Sequence, residues 1–119
     1  MARKTPRLYL EHIKEAIAII EQRIAGRSLD DLAADGLLRD SLERRIEIIS
    51  EASRRLPEDM KARHPEVPWH KVAGIGNVLR HEYYGINLDI IWRVATQDIR
   101  PLAAAVDELL AEVLRNWKK

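Results

Sequence analysis

The feature that most limits what this chain can fold into is an apolar stripe returning every three or four residues almost from end to end. Leu10, Ile13, Ile17, Ile20 and Ile24 open it, Leu38, Leu42, Ile46, Ile49 and Leu56 repeat it, and Leu102, Val106, Leu109 and Val113 close it. That spacing lays each set along one face of an α-helix, and no stretch keeps the period-two alternation of a half-buried strand. The chain reads as all-α, an up-and-down bundle of four to five helices forming a single domain over residues 1–119. A small bundle with an apolar seam left over favours a symmetric homodimer.

Local punctuation sets the expected boundaries. Thr5 is placed to cap the first helix, with Pro6 at its first position and Gly26 beyond its end. Ser28 is placed to cap a short turn from Leu29 to Ala34 that carries Asp31 in its favourable first turn. A second long helix follows Gly36, flanked by Glu43, Arg44, Glu47, Glu51, Arg54 and Arg55 on its solvated sides, and Pro57 stops it. After one more turn from Glu58 to Arg63, Pro65 and Pro68 mark a connector beside which Trp69 plugs the core. A third helix is expected from Trp69 to Tyr84, with Gly85 ending it and Asn87 capping the next, which begins near Leu88. Gly74 and Gly76 interrupt that third helix at about 1 kcal/mol each relative to alanine, a cost that close approach of another helix would explain. Pro101 either kinks the last helical stretch or starts a new one.

Composition removes several function classes. The chain has 119 residues and no cysteine, so disulfides, thiolate metal sites and cysteine nucleophiles are out. The 20 basic and 19 acidic residues leave a net charge of +1, so nucleic acid would have to be held by a local patch rather than a global field. The basic start, Arg3, Lys4 and Arg7, is not followed by the apolar run of a signal peptide, and no segment has the length and apolarity of a membrane span, which makes a cytoplasmic protein the expectation. Together with Lys118 and Lys119 these residues read as solvated ends. His12, His64, His70 and His81 are scattered without helical ligand spacing, so no metal is expected, and Glu11, Glu47 and Glu51 read as solvated or ion-paired carboxylates.

The one segment dense in reactive groups runs from Asn77 to Tyr84. Asn77, His81 and Tyr84 share a helical face at spacings of four and three, flanked by Arg80 and Tyr83. A histidine gives or takes a proton near neutral pH, an arginine neutralises phosphate charge with two parallel donors, and asparagine or tyrosine orients a substrate. The competing reading of the same residues is a capped helix end with a satisfied histidine.

Three stretches of this chain resemble the HepT-like family of HEPN-domain proteins, in order and with the family's spacing. Ile46 to Ala52 is similar to its apolar-apolar-Gly-Glu-Ala helix, Val67-Pro68-Trp69 to its Pro-Trp entry, and Gly74 to Tyr83 to its Gly-Met-Arg-Asn-x-Leu-x-His-x-Tyr segment. The resemblance implies a HEPN-like helical homodimer without a cofactor, acting as the toxin of a toxin–antitoxin pair: a metal-independent ribonuclease with RNA across the dimer cleft. It also implies a partner, an MNT-type nucleotidyltransferase antitoxin that transfers AMP to the motif tyrosine. Carried over residue by residue, the motif histidine falls on His81, the tyrosine on Tyr83 and the asparagine on Asn77, while the motif arginine falls on Gly76. Arg80 is the candidate to supply the missing charge, and Tyr84 supports the site. The other outcome of the Gly76 departure is a catalytically inactive nucleotide- or RNA-binding subunit of the nucleotidyltransferase.

Overall fold

The computed structural model describes residues 5–81 and 88–117, apart from the side chains of His81 and Trp117. All regular structure among these residues is helical, as the periodicity predicts. Four long helices build the bundle: α1 (Pro6–Ile24), α3 (Gly36–Arg54), α5 (Trp69–His81) and α7 (Ile99–Trp117). Three short ones, α2 (Leu29–Ala34), α4 (Glu58–Ala62) and α6 (Leu88–Arg93), make the corners. α3 packs against α1 on one side and α5 on the other, and α1 in turn packs against α7.

The stripes read from the sequence are the core. Leu10, Ile13 and Ile20 of α1, Leu42 and Ile46 of α3, and Leu102, Val106 and Leu109 of α7 are fully buried or nearly so, with Leu32 of α2 and Ile91 of α6 closing the ends. Ile24 and Val113, at the ends of their stripes, are only partly buried against this core.

Most boundary signals act as expected. Ser28 and Asp31 form a reciprocal capping box at α2, and the Asp35 carboxylate accepts from the backbone N–H groups of Leu37 and Leu38 to cap α3. Gly26 takes a φ of 71°, the left-handed conformation that lets the chain turn after α1. Thr5 differs from expectation: it stands at the N-cap of α1 with an extended backbone, yet its hydroxyl makes no capping bond, so Pro6, which has no N–H to satisfy, does the work of starting that helix.

Pro101 stands just after a π turn in a helical run that is unbroken from residue 88 to 117. It is the third residue of α7, and the π turn at Val94–Asp98 that joins α6 to α7 alters the backbone ladder directly before it, the usual setting for a proline within a helical run. Thr96 Oγ1 donates to the Trp92 carbonyl at 2.6 Å across this junction. Trp69 fills the corner between α4 and α5, partly buried against the core, and its indole N–H donates to the His64 carbonyl at 3.0 Å.

Candidate active site at the end of α5

α3 and α5 form the hairpin that positions the reactive segment, and one buried side chain fixes how they meet. Ser50, on the α3 face turned toward α5, is completely buried. Its hydroxyl donates to the Ala73 carbonyl at 2.7 Å and accepts from the Gly76 N–H at 3.2 Å. A serine that uses its donor and an acceptor site on the backbone of a neighbouring helix locks the two helices in register, and leaves no orphaned polar atom of its own. Ser53, one turn on, is buried too and returns its hydroxyl to the Ser50 carbonyl at 2.8 Å.

The two glycines of α5 have different roles. Gly76 is the site of close approach: a Cβ there would stand 2.9 Å from Ser50 Oγ and 3.1 Å from Ser50 Cβ. Gly74 has nothing within 4 Å of such a Cβ and instead borders a groove of about 470 Å³ that Ile46, Ile49, Ile75, Val78 and Leu102 line with apolar surface and Lys71 and Arg93 edge with charge.

Downstream of Gly76 the helix turns its polar residues outward. Asn77 and Arg80 are both exposed, one turn apart, while Leu79 between them is buried and anchors the segment. The Arg80 guanidinium folds back along the helix, with Nη1 only 3.4 Å from where a Cβ on Gly76 would be. No carboxylate among the described residues lies within ion-pairing distance of it, in contrast to Arg54 and Arg55, which both bond to Glu51 at 2.9 and 3.1 Å. Position 81 is the last residue of α5, so the helix carries the histidine of the predicted segment directly after Arg80. Tyr83 and Tyr84, like Gly85 and Asn87, lie outside the described residues.

The other predicted polar groups are structural. Glu11 pairs with Arg7 at 3.0 Å. Glu51 is held below the usual carboxylate range, first by its hydrogen bond from Arg55. His64 is buried in the α4–α5 corner, its Nδ1 2.9 Å from Glu66, and His12 meets the Tyr9 ring edge-on. A groove of about 600 Å³ between α1 and α3, lined by Tyr9, His12, Arg44, Arg45 and Arg55 among others, includes neither Asn77 nor Arg80.

Glu43 escaped sequence reasoning. Its charge predicts a solvated flank, yet its Oε1 is shut off from solvent with no hydrogen-bond partner among the described residues, and burial pushes its carboxyl above the usual range. Seven residues before Ser50, it lies on the same side of α3. Ser50 was likewise legible only as part of a pattern; a small polar residue interrupting an apolar stripe opposite a glycine is the signal that marks it.

The family model for the HepT-like ribonuclease matches residues 13–109. The chain belongs to the HepT-like ribonuclease family. Among curated HepT-like relatives, a protein of Caldanaerobacter subterraneus subsp. tengcongensis named as a candidate RNase is 40% identical over 90% of this chain and 96% of its own length. One of Thermococcus cleftensis, named as a probable ribonuclease HepT, is 36% identical over 85% of this chain and 92% of its own. A Methanocaldococcus jannaschii protein, named both for gamma-glutamylcyclotransferase and as a candidate RNase, is 33% identical over 96% of this chain but 51% of its own length. No solved structure matches the chain. None of the described helices is long and apolar enough to cross a membrane.

Proposed function

We propose that this protein is a metal-independent ribonuclease of the toxin type, working as a homodimer with RNA across the cleft between two α5 ends. The observation that carries the reading is the exposed Arg80 guanidinium, without an ion-pair partner among the described residues, beside exposed Asn77 and directly before His81. An arginine without an ion-pair partner among the described residues and an amide one helical turn away are suited to hold a phosphodiester. In this reading His81 takes the proton from the ribose 2′-hydroxyl as that oxygen attacks the neighbouring phosphorus. The P–O5′ bond breaks, and the leaving oxygen receives a proton from the second imidazole of the dimer. Arg80 stabilises the extra negative charge on the phosphorane, and Asn77 orients the substrate or the imidazole.

The partner is an MNT-type nucleotidyltransferase antitoxin acting on Tyr83. The Tyr83 oxygen attacks the α-phosphorus of ATP, pyrophosphate leaves, and the phenolic proton is released. The AMP then places negative charge and bulk beside His81, which repels RNA phosphate. Tyr84 supports this surface.

Purified protein incubated with a fluorescent RNA in EDTA tests the reading. Wild-type cleavage with a 10²–10⁴-fold loss in His81→Ala, the usual contribution of a general acid or base, is expected. Intact RNA with both proteins would refute the ribonuclease and favour the second reading, a binding subunit of the nucleotidyltransferase, to which glycine at position 76 points.

A further inference from the structure

We infer that Glu43 is a positioning residue for His81: its carboxylate holds one ring nitrogen of the imidazole, so that the other is free to take the proton from the ribose 2′-hydroxyl. The inference rests on the ribonuclease reading for the reaction, but not for the pairing itself. Helix register carries it. The bonds from Ser50 to Ala73 and Gly76 fix which levels of the α3–α5 hairpin meet. A helix advances about 1.5 Å per residue, so each step back along α3 is matched by an equal step forward along α5. Ile49 and Ile75 stand at one level, and Ile46 and Val78 three residues further on each helix; all four line the same groove. Three residues more bring Glu43 level with position 81, the last residue of α5. The sides agree as well. Glu43 is seven residues before Ser50, on the same side of α3, and position 81 is seven residues beyond Gly74, on the groove side of α5.

The second observation is chemical. Glu43 Oε1 is shut off from solvent and has no hydrogen-bond partner among the described residues. The charges acting on it are Arg39, Asp40 and Glu47, all of its own helix; charged groups of α1, α2 and α6, which also pack on α3, are not among them. α5 brings Arg80 and His81 to this level, and the Arg80 guanidinium folds back toward position 76. An imidazole N–H is the donor that the orphaned oxygen lacks. A histidine acting as base needs its own N–H on the far ring nitrogen, and a carboxylate there sets the tautomer, aims the ring and stabilises the imidazolium that forms. Glu43 stays ionised throughout: it accepts the N–H bond, while the 2′-hydroxyl proton rests on the opposite nitrogen and leaves from there. Asn77 is then left to orient the substrate.

The test is a pH titration of the histidine ring signals by NMR in the intact protein, with His81 identified by the signal that His81→Ala removes. Glu43→Gln keeps the side-chain shape and deletes the charge. It is expected to lower the His81 pKa by about one unit, while the titrations of His12, His64 and His70 do not move. Cleavage of a fluorescent RNA in EDTA is the second readout. Glu43→Gln should lower kcat about tenfold, the same one unit expressed as a rate, with KM little changed and the acid limb of the pH profile moved down with the His81 titration. Glu43→Asp, which keeps the charge, should recover part of the loss. A His81 titration that ignores Glu43→Gln would overturn the pairing, whatever happens to cleavage. A His81 titration that shifts as stated in a wild-type protein that leaves RNA intact would uphold the pairing and overturn only the ribonuclease.

Discussion

Replacing Glu43 with leucine is expected to make the protein more stable at neutral pH, and the gain should fade as the solution is acidified. Glu43 lies on the same side of α3 as Ser50, seven residues earlier, and one of its carboxylate oxygens is buried with no hydrogen-bond partner among the described residues. Desolvation is the leading cause of its raised pKa; Arg39 opposes it, and the Asp40 and Glu47 charges add to it. A carboxyl whose folded pKa exceeds its unfolded value binds its proton more tightly in the native state. Its contribution is therefore most favourable below the unfolded pKa, near 4.5, and is lost as pH rises through the folded value. A buried polar group left unsatisfied costs about 1–3 kcal/mol, and since the rest of this partly exposed group still reaches water the lower end applies, about 1 kcal/mol at pH 7. For a domain of this size that corresponds to a Tm gain of about 3–6 °C at pH 7. Leucine adds a pH-independent offset of its own, so the informative quantity is the difference in Tm between variant and wild type, followed from pH 4 to pH 7 by circular dichroism. The difference should widen as pH rises. A gap that stays flat, or a wild type that overtakes the variant toward neutrality, would refute the claim that the native state holds a strained carboxylate here.

Three further substitutions test the framework around the site. Asp35→Ala removes the acceptor for two N–H groups at the start of α3 and is expected to cost about 0.5–2 kcal/mol in urea denaturation. Leu42→Ala empties a fully buried position between the long helices and should cost about 2–5 kcal/mol by the same measurement, enough to threaten folding at 37 °C. Trp69→Phe keeps the aromatic packing at the α4–α5 corner but deletes the indole bond to the His64 carbonyl; a loss of about 1 kcal/mol is expected, with hydrogen exchange faster at residues 64–69 than in α1.

The parts of the fold legible in the sequence are those that one physical signal decides. Burial of Leu10, Ile13 and Ile20, or of Leu102, Val106 and Leu109, follows from spacing alone, because a helix has one way to put such residues on one face. The Ser28 cap follows from local chemistry within three residues. What spacing does not determine is which residue of one helix meets which residue of another. Gly74 and Gly76 look alike along the chain, and both invite the reading of close approach; only the register of α3 against α5 separates them, giving Ser50 to Gly76 and open space to Gly74. Thr5 and Glu43 depart from expectation for the same reason: cap preference and charge describe the residue, whereas the outcome depends on where the neighbouring backbone runs.

That register also changes how the departure at position 76 is understood. Taken along the sequence, glycine in place of the motif arginine reads as a deletion, and Arg80 as a remote substitute more than one helical turn away. In the folded chain residues four apart stack on one helical face, and the Arg80 side chain lies back toward position 76, so the proposed role of Arg80 would act close to the place the motif arginine leaves. The same geometry explains why serine stands where the family pattern has glycine: the volume absent at 76 is occupied by the Ser50 side chain, and the hydroxyl recovers two backbone hydrogen bonds in the exchange. Restoring arginine at 76 alone should therefore damage the hairpin rather than improve the enzyme, because the new side chain would be forced onto a buried residue on a neighbouring helix. A Gly76→Arg variant that melted at the wild-type temperature and cleaved RNA faster would show that the offset carries no structural meaning. A lower Tm, partly recovered by Ser50→Gly, is the result that the packing of α3 against α5 requires.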